Sequence, residues 1–188
     1  NKGVELLVEA YILLKSKYRN LRLLIKDSSN LYGKTLKDVV CKMAKYERNK
    51  NLDLSKLNDV ITISENLDIK NLNRIYNIAD AYVSPYYGEG FNLPALEAAA
   101  CGIPILVTSG GATDDYFSKK IGLKIESKKR NNSHEKIYLE PNFESLIDSI
   151  ETLVNYSISC GGEIGSKYVH QNFSWRKVTD MLIKELSL

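Results

Sequence analysis

The sequence has little cysteine, histidine or tryptophan, and no long apolar run. Its 188 residues include three cysteines, two histidines and one tryptophan. Cys41, Cys101 and Cys160 are odd in number and far apart, which excludes a disulfide framework and a C-x-x-C metal pair. Such cysteine usage is typical of a reducing compartment, so we expect a cytoplasmic protein. Because no stretch approaches about 18 consecutive apolar residues, the sequence offers no candidate transmembrane helix.

The sequence also lacks an excess of one charge and an enrichment in glycine or proline. Its 26 basic and 23 acidic residues leave a net charge of +3, too small to indicate a nucleic-acid partner. Eleven glycines and four prolines exclude collagen-like and low-complexity classes. What remains is a globular composition with a length suited to one domain, residues 1–188. The chain opens without methionine inside a helix entry, so we expect a piece of a longer protein.

Strand-like and helix-like apolar patterns alternate along the chain. The predicted strands are Leu21–Lys26, Val60–Ile63, Ala81–Ser84, Ile105–Thr108 and Leu123–Glu126. The predicted helices are 3–18, 35–48, 69–78, 94–101, 142–156, 161–171 and 174–186. This alternation predicts an α/β fold, with a Rossmann-like parallel sheet flanked by helices and helices at the C-terminus. We expect surface loops at Asn49–Asp59 and at the basic segment Ser127–Ser133, and we expect Trp175 in the core.

Backbone-shaping residues concentrate in one segment. Pro85–Gly111 contains three of the four prolines and five of the eleven glycines. Parallel α/β sheets bind ligands in loops beyond the carboxyl ends of their strands, and two such loops are predicted here, 85–93 and 109–113. Pro94 suits the first position of a helix, so the N–H groups of residues 90–93 should converge at a helix N-terminus, which attracts phosphate. Glu89 and Glu97 should flank the same ligand, because helical side chains lean towards the N-terminus.

The charges of this region restrict the ligand further. No lysine or arginine occurs from Ile75 to Ser118, where five acidic residues lie. Two carboxylates repel a diphosphate, by about 4 kcal/mol per pair of unit charges at 4 Å and an effective dielectric constant of 20. Glu89 and Glu97 should therefore face hydroxyl groups, and a cation should come from Lys2 or Lys26. A diphosphate with hydroxyl groups at both ends is a nucleotide-sugar.

These residues resemble the donor-binding half of retaining GT-B glycosyltransferases of the glycosyltransferase group 1 (family 4) type. The resemblance spans nearly the whole chain and includes the E-x7-E signature from Glu89 to Glu97. Its other parts are Lys2-Gly3-Val4, residues 79–85, residues 97–104, Gly110-Gly111 and Phe173-Ser174-Trp175. It implies the C-terminal half of a GT-B fold, with the N-terminal acceptor-binding domain absent from this chain.

The resemblance also implies a role for each matching residue. Glu97 would bind the ribose hydroxyls with both oxygens, and Glu89 would hold hydroxyls of the transferred sugar and position its reacting face. Lys2 would neutralise charge on the leaving phosphate, so Glu89 and Lys2 are the catalytic candidates. The predicted nucleotide-sugar site comprises Lys2, Lys26, Asn66, Leu67, Leu72, Glu89, Gly90, Phe91, Asn92, Leu93 and Glu97. Asn66, Leu67 and Leu72 are the expected contacts of the nucleobase.

The function implied is transfer of a sugar from a UDP- or GDP-sugar to an unknown acceptor, with retention of configuration and no metal. The isolated fragment should bind donor but transfer little, and peripheral membrane association of the longer enzyme stays open. Where many members carry a glutamate after the Gly-Gly pair, Thr113-Asp114-Asp115 occurs, which leaves that loop without an assigned role. Two alternatives are kept: a sugar-nucleotide epimerase of GT-B fold, and a non-catalytic nucleotide-sugar-binding module.

Overall fold

The structure is a computed structural model that describes residues 2–27, 35–43, 51–131, 137–155 and 160–186. The α-helices of these residues are α1 Val4–Lys17, α2 Leu36–Met43, α3 Ile69–Ile78, α4 Leu93–Ala100, α5 Phe143–Asn155, α6 Gly162–Phe173 and α7 Trp175–Leu186. The strands are β1 Leu24–Lys26, β2 Ile61–Ile63, β3 Tyr82–Ser84, β4 Ile105–Thr108, β5 Gly122–Ile125, β6 Ser127–Asn131 and β7 Ile137–Pro141. The same described residues form 3₁₀ helices at Leu54–Asp59 and Ala112–Asp115.

The strands confirm the predicted α/β class and refine it. β1 pairs in parallel with β2, and β3, β4 and β5 form a second parallel sheet in that order. Leu106 in the central strand lies opposite Val83 on one side and Leu123 on the other. Within the described residues, the parallel strands lie in one sheet of two strands and one of three.

The second sheet is covered on both faces, which is why β4 begins with three consecutive apolar residues. All four residues of β4 are buried. Ile105 and Val107 face the alanines of α4 and Val169 of α6, whereas Leu106 faces α1 and α5. A strand buried on both faces requires a continuous apolar run instead of an alternating one. This three-layer packing holds the loop after β3 on a rigid base.

Helix α1 packs against both sheets at once. Leu6, Ala10 and Leu14 pack with the β4–β5 sheet and α5, while Tyr11 and Ile12 pack with residues near β1 and α2. A helix buried on two sides has apolar residues around most of its circumference, as α1 has. Its N-terminus is thereby fixed beside the ends of the strands.

The basic segment Ser127–Ser133 was predicted to be a surface loop, and this prediction is wrong for residues 127–131. They form β6, which pairs antiparallel with β7 from Ser127 opposite Pro141 to Asn131 opposite Ile137. The strand has no apolar alternation, so its pairing depends on hydrogen bonds to β7 and on Leu139, which is buried against the loop after β4. Residues 132 and 133 lie outside the described chain.

Two other predictions are corrected. Trp175 was expected in the core but is 87% exposed, because α7 contributes no buried residue to the described structure. The segment Asn49–Asp59 contains a 3₁₀ helix instead of only a loop, with residues 49 and 50 outside the described part. The three helices after Pro141 are confirmed, as is the helix from residue 36 to residue 43, although residues 44–48 of that prediction are not described.

In the described residues, no helix has the length and apolar character needed to cross a membrane.

Candidate functional site

The loop between β3 and α4, residues 85–92, is held against the start of α1. Gly3 caps α1 with a φ of 66°, a conformation that favours glycine. A Cβ atom at Gly3 would lie 1.9 Å from the carbonyl oxygen of Pro85, so only glycine permits this approach. The contact places the residue before it, Lys2, at the loop.

Lys2 and Glu89, 87 positions apart in sequence, form an ion pair across this contact. The Glu89 side chain is only 9% exposed and that of Lys2 is 63% exposed. A carboxylate so removed from water requires a partner, and the ammonium group of Lys2 supplies it. The structure thus brings together the two residues that the sequence proposed as catalytic.

The turn into α4 is fixed by buried polar contacts. Asn92 has a φ of 65° and is 4% exposed, and its side-chain amide donates to the hydroxyl of Ser84, at the end of β3, over 3.1 Å. The Tyr116 hydroxyl donates to the Asn92 carbonyl at 3.1 Å, and its ring lies 5.1 Å from that of Phe91. Asparagine tolerates the left-handed region better than most residues. The loop is therefore anchored to β3 and to Tyr116 through Asn92, while Phe91 stays partly exposed.

The backbone donors of this turn have no hydrogen-bond partner among the described residues. Within the described chain, no hydrogen bond to the protein is made by the N–H groups of residues 90, 91, 92 and 93. A Cβ atom at Gly90 would meet no atom within 4 Å. The first N–H groups of a helix lack intrahelical partners and carry its positive end, so this arrangement can receive an anion. Helix α4 begins at Leu93, one residue earlier than predicted, because Pro94 occupies its second position.

Glu97 lies one turn into α4 and receives a hydrogen bond from a residue that the sequence did not single out. The Tyr76 hydroxyl, on α3, donates to Oε2 of Glu97 over 2.8 Å. Tyr76 lies four positions after Leu72, so the two residues share one face of the helix. This spacing was the one feature of the sequence that placed Tyr76 on the side of the predicted site. Nothing in the sequence indicated that α3 faces α4.

The tyrosines around the site have raised pKa values. Burial and the hydrogen bond to Glu97 raise the pKa of Tyr76. Burial, and then the nearby charge of Glu89, raise the pKa of Tyr82 to about 12. Burial also raises the pKa of Tyr86 and of Tyr116. These phenols are protonated at neutral pH, and the hydroxyls of Tyr76, Tyr86 and Tyr116 donate hydrogen bonds.

The loop after β4 is held by polar contacts within the protein. The buried Tyr86 hydroxyl donates to the Thr108 carbonyl at 3.0 Å and lies 2.8 Å from the Thr113 hydroxyl. Asp114 accepts from the N–H of Gly110 at 3.0 Å and pairs with Lys124 at 2.8 Å. Both oxygens of Asp114 are thereby engaged in holding the loop. Asp114 belongs to the Thr113-Asp114-Asp115 segment, which stands where many family members carry a glutamate, so this segment has a structural role here.

The remaining predicted site residues make no hydrogen bond or ion pair with the loop 85–92 in the described structure. Lys26 is exposed at the end of β1, and its ammonium group donates to the neighbouring Asp27 carbonyl at 2.6 Å. Asn66 is exposed and Leu67 half-buried in the loop after β2, while Leu72 is half-buried on α3. No hydrogen bond or ion pair joins these four residues to the loop 85–92 in the described structure. They lie at carboxyl ends of parallel strands or on the helix that follows, as the topology requires.

Comparison with known proteins connects this site to a family. The D-inositol 3-phosphate glycosyltransferase of Arthrobacter sp. (strain FB24) is 31% identical over 129 residues, which are 68% of this chain and 28% of that protein. The C-terminal domain of LpcC, a glycosyl transferase group 1 family protein of Francisella tularensis, has a TM-score of 0.65 at 22% identity, covering 93% of this chain and 80% of that one. Anabaena HepE, solved in complex with UDP and glucose, has a TM-score of 0.67 at 16% identity, covering 99% of this chain and 45% of that one.

These likenesses differ in what they establish. The structural likenesses, at low identity, show a fold similar to that of glycosyltransferases. This chain spans 28% of the length of the Arthrobacter relative, so that enzyme's activity does not transfer directly. The family model described as glycosyl transferases group 1 matches residues 1–139, about three quarters of the sequence. The chain therefore belongs to the glycosyl transferases group 1 family.

Proposed function

We propose that this chain is the C-terminal, donor-binding domain of a retaining, family 4 glycosyltransferase that uses a UDP- or GDP-sugar. The observation that carries the proposal is the arrangement around the loop 85–92. Lys2 pairs with Glu89 just before a turn whose four N–H groups are unpaired in the described structure, and Glu97 follows one turn into α4. That order of cation, donors and acceptors matches a diphosphate between two hydroxyl-bearing groups. The complex of HepE with UDP and glucose supports this ligand class.

In the proposed complex, the N–H groups of Gly90, Phe91, Asn92 and Leu93 donate to the diphosphate. Glu97 accepts hydrogen bonds from the ribose hydroxyls, and Glu89 accepts them from the transferred sugar. Lys2 then lies between the Glu89 carboxylate and the phosphate and offsets part of their combined negative charge. Asn66, Leu67 and Leu72 contact the base, and Lys26 lies near the nucleotide. The parallel pairing of β1 with β2 supports this placement, because the carboxyl ends of both strands lie at the same edge of the sheet.

In the proposed reaction, the bond from the anomeric carbon to the diphosphate breaks, and a bond to an acceptor hydroxyl forms on the same face. The acceptor proton passes to the leaving phosphate oxygen, and the ammonium group of Lys2 stabilises the charge that develops there. Glu89 holds the sugar so that this face is presented. The match of the E-x7-E residues to the retaining family supports this course.

The proposed donor site uses no metal ion, because the ammonium group and the N–H groups supply the positive potential at the diphosphate. An acceptor-binding domain from the longer protein completes the enzyme in this proposal, and the short coverage of the Arthrobacter relative supports it. Such a fragment would show little transfer by itself. The free cysteines Cys41, Cys101 and Cys160 support a cytoplasmic location.

A thermal-shift panel of UDP, GDP, ADP and their sugar conjugates, with and without EDTA, tests the proposal. A ligand at 100 times its dissociation constant stabilises a protein by about 2.7 kcal/mol. For a domain of this size the expected rise in Tm is about 5–10 °C. A response to one base, unchanged by EDTA, supports the proposal and identifies the nucleotide. A flat panel with the full-length enzyme contradicts it, and turnover of nucleotide-sugar without acceptor indicates an epimerase.

Two substitutions test the separate roles of the carboxylates. Glu97→Ala should weaken binding of the free nucleoside diphosphate at least about tenfold, since a hydrogen bond to a charged group is worth about 1.5–3 kcal/mol. Glu89→Ala should leave free nucleoside diphosphate binding nearly unchanged and weaken binding of the sugar conjugate. Isothermal titration calorimetry with both ligands measures the difference. Equal losses of nucleoside diphosphate affinity in the two variants would contradict the assignment.

A further inference from the structure

Tyr76 is the one described residue that hydrogen-bonds to the carboxylate of Glu97. The donor and acceptor lie 21 positions apart, on α3 and α4, and their oxygens are 2.8 Å apart. No other hydrogen bond or ion pair to this carboxylate occurs in the described residues. An exposed glutamate with no partner would sample several rotamers, and ordering a long side chain has an entropic cost. The contact from Tyr76 restricts this freedom.

The position of the Tyr76 hydroxyl is itself fixed. Its half-buried ring packs against the core cluster that includes Ala98 and Ala99 of α4. The ring also makes an edge contact with Tyr82 of β3, with centroids 6.5 Å apart. Because burial and Glu97 raise the pKa of Tyr76, the phenol keeps its proton at neutral and moderately alkaline pH. The hydroxyl is therefore protonated at neutral pH, and packing of its ring restricts its position.

The hydrogen bond leaves the acceptor capacity that a ligand needs. A carboxylate offers about four lone-pair sites, and Tyr76 uses one of them on Oε2. Both oxygens can still accept from the neighbouring hydroxyls of a cis-diol. A neutral donor also leaves the negative charge of Glu97 in place, whereas a lysine or an arginine would neutralise it.

We propose that Tyr76 is a positioning residue for nucleotide recognition, which sets the Glu97 carboxylate in the orientation that the ribose diol requires. This inference rests on the proposed function, in which Glu97 binds the ribose. Tyr76 does not contact the ligand in this arrangement and acts only through Glu97. Removal of its hydroxyl should therefore matter only for ligands that have the diol and only while Glu97 is present.

The test compares Tyr76→Phe with the unaltered protein by isothermal titration calorimetry. The probes are the nucleoside diphosphate selected by the thermal-shift panel and its 2′,3′-dideoxy analogue. The expected result is a loss of affinity of about tenfold for the diol ligand, the equivalent of about 1.4 kcal/mol. No change is expected for the dideoxy analogue. Tyr168→Phe is the matched control, because it removes a tyrosine hydroxyl from the same core cluster, one that donates to the Tyr116 carbonyl and not to Glu97.

Two further measurements make the outcome unambiguous. In a Glu97→Ala background, Tyr76→Phe should have no additional effect, and an additive loss there would overturn the inference. Equal affinities of the unaltered protein and Tyr76→Phe would also overturn it while leaving the donor site intact. Failure of the unaltered full-length protein to bind any nucleotide would instead refute the proposed function. Unfolding curves of each variant verify the fold, so a loss of affinity cannot be attributed to unfolding.

Discussion

Gly3 decides how closely α1 approaches the loop that carries Glu89. Its φ of 66° and its contact with the Pro85 carbonyl leave no room for a Cβ atom. We expect Gly3→Ala to lower the free energy of unfolding by about 2 kcal/mol, because the left-handed conformation and the steric clash both penalise alanine. Urea denaturation measures this loss. A change below about 0.5 kcal/mol would show that the N-terminus of α1 can move away from the loop.

Gly90 provides the matched comparison, because its surroundings are open. A Cβ atom there meets nothing within 4 Å, and its φ lies outside the left-handed region. We expect Gly90→Ala to change the free energy of unfolding by less than about 0.5 kcal/mol, as for other exposed sites. Affinity for the nucleotide-sugar should fall, because the methyl group occupies space that the proposed diphosphate needs. Normal affinity in this variant would argue against binding at these N–H groups.

The tyrosines of the site predict a pH dependence at the alkaline end. An unfolded tyrosine has a pKa near 10, and burial raises the pKa of Tyr82 to about 12. A raised pKa means that the folded state binds the proton more tightly. The stabilisation is therefore fully present below about pH 10 and is lost as the pH rises towards 12. Urea midpoints should be flat from pH 7 to 9 and fall above pH 10.

Ultraviolet absorbance gives a second measurement of the same effect. The native protein should contain fewer ionised tyrosines at pH 11 than the urea-unfolded protein. The pKa values of Tyr76, Tyr86 and Tyr116 are raised in the same direction, so several of the twelve tyrosines should resist ionisation. Identical tyrosinate absorbance in the two states would contradict the burial of these phenols.

At the scale of elements, the β6–β7 hairpin braces the site through one side chain. Leu139 is 6% exposed, and its methyl groups lie against the backbone of Gly110 and Gly111. Its N–H also donates to the Tyr87 carbonyl at 2.7 Å, which ties the hairpin to the loop that carries Glu89. The hairpin is thus attached to both loops at the carboxyl ends of β3 and β4.

Leu139→Ala should therefore lower the free energy of unfolding by about 2–4 kcal/mol, the usual result of removing a buried leucine side chain. Ile137 is the control on the same strand, since its side chain is 70% exposed. Ile137→Ala should change the free energy of unfolding by less than about 0.5 kcal/mol. Thermal or urea unfolding of both variants checks the difference. Equal effects would mean that the hairpin is not anchored through Leu139.

At the scale of the whole molecule, the last two helices differ in how they join the core. Phe173 ends α6 with its ring 6.2 Å from that of Tyr116 and 5.9 Å from that of Tyr168. Trp175 begins α7 two residues later and is 87% exposed. Helix α7 also exposes Val178, Met181, Leu182, Ile183 and Leu186.

In this 188-residue chain, Phe173→Ala should lower the free energy of unfolding by about 2 kcal/mol, because a packed aromatic ring is lost. Trp175→Ala should change it by less than about 0.5 kcal/mol, since the indole contributes little buried area here. Denaturation curves of the two variants test this order. A larger loss for Trp175→Ala would mean that α7 packs on the domain in solution.

The difference between predicted and observed structure has a physical pattern. Strands such as Ile105–Thr108 were predicted within a residue, because a run of apolar side chains flanked by turn residues reports burial directly. Strand β6 was missed because its residues are polar and show no alternation of apolar side chains. Trp175 was misplaced because an apolar pattern shows which residues share a helix face, but not which element covers that face.

The sequence by itself determined the α/β class, the family resemblance and the position of the E-x7-E segment, because these depend on local spacing and on residue type. Only the tertiary structure decided that Lys2 pairs with Glu89, that Tyr76 holds Glu97 and that a hairpin braces the adjoining loops. Lys2 and Glu89 are 87 positions apart in sequence, and Tyr76 and Glu97 are 21 positions apart. These contacts arise because parallel strands bring distant loops to one edge of the sheet, a geometry that no local pattern records.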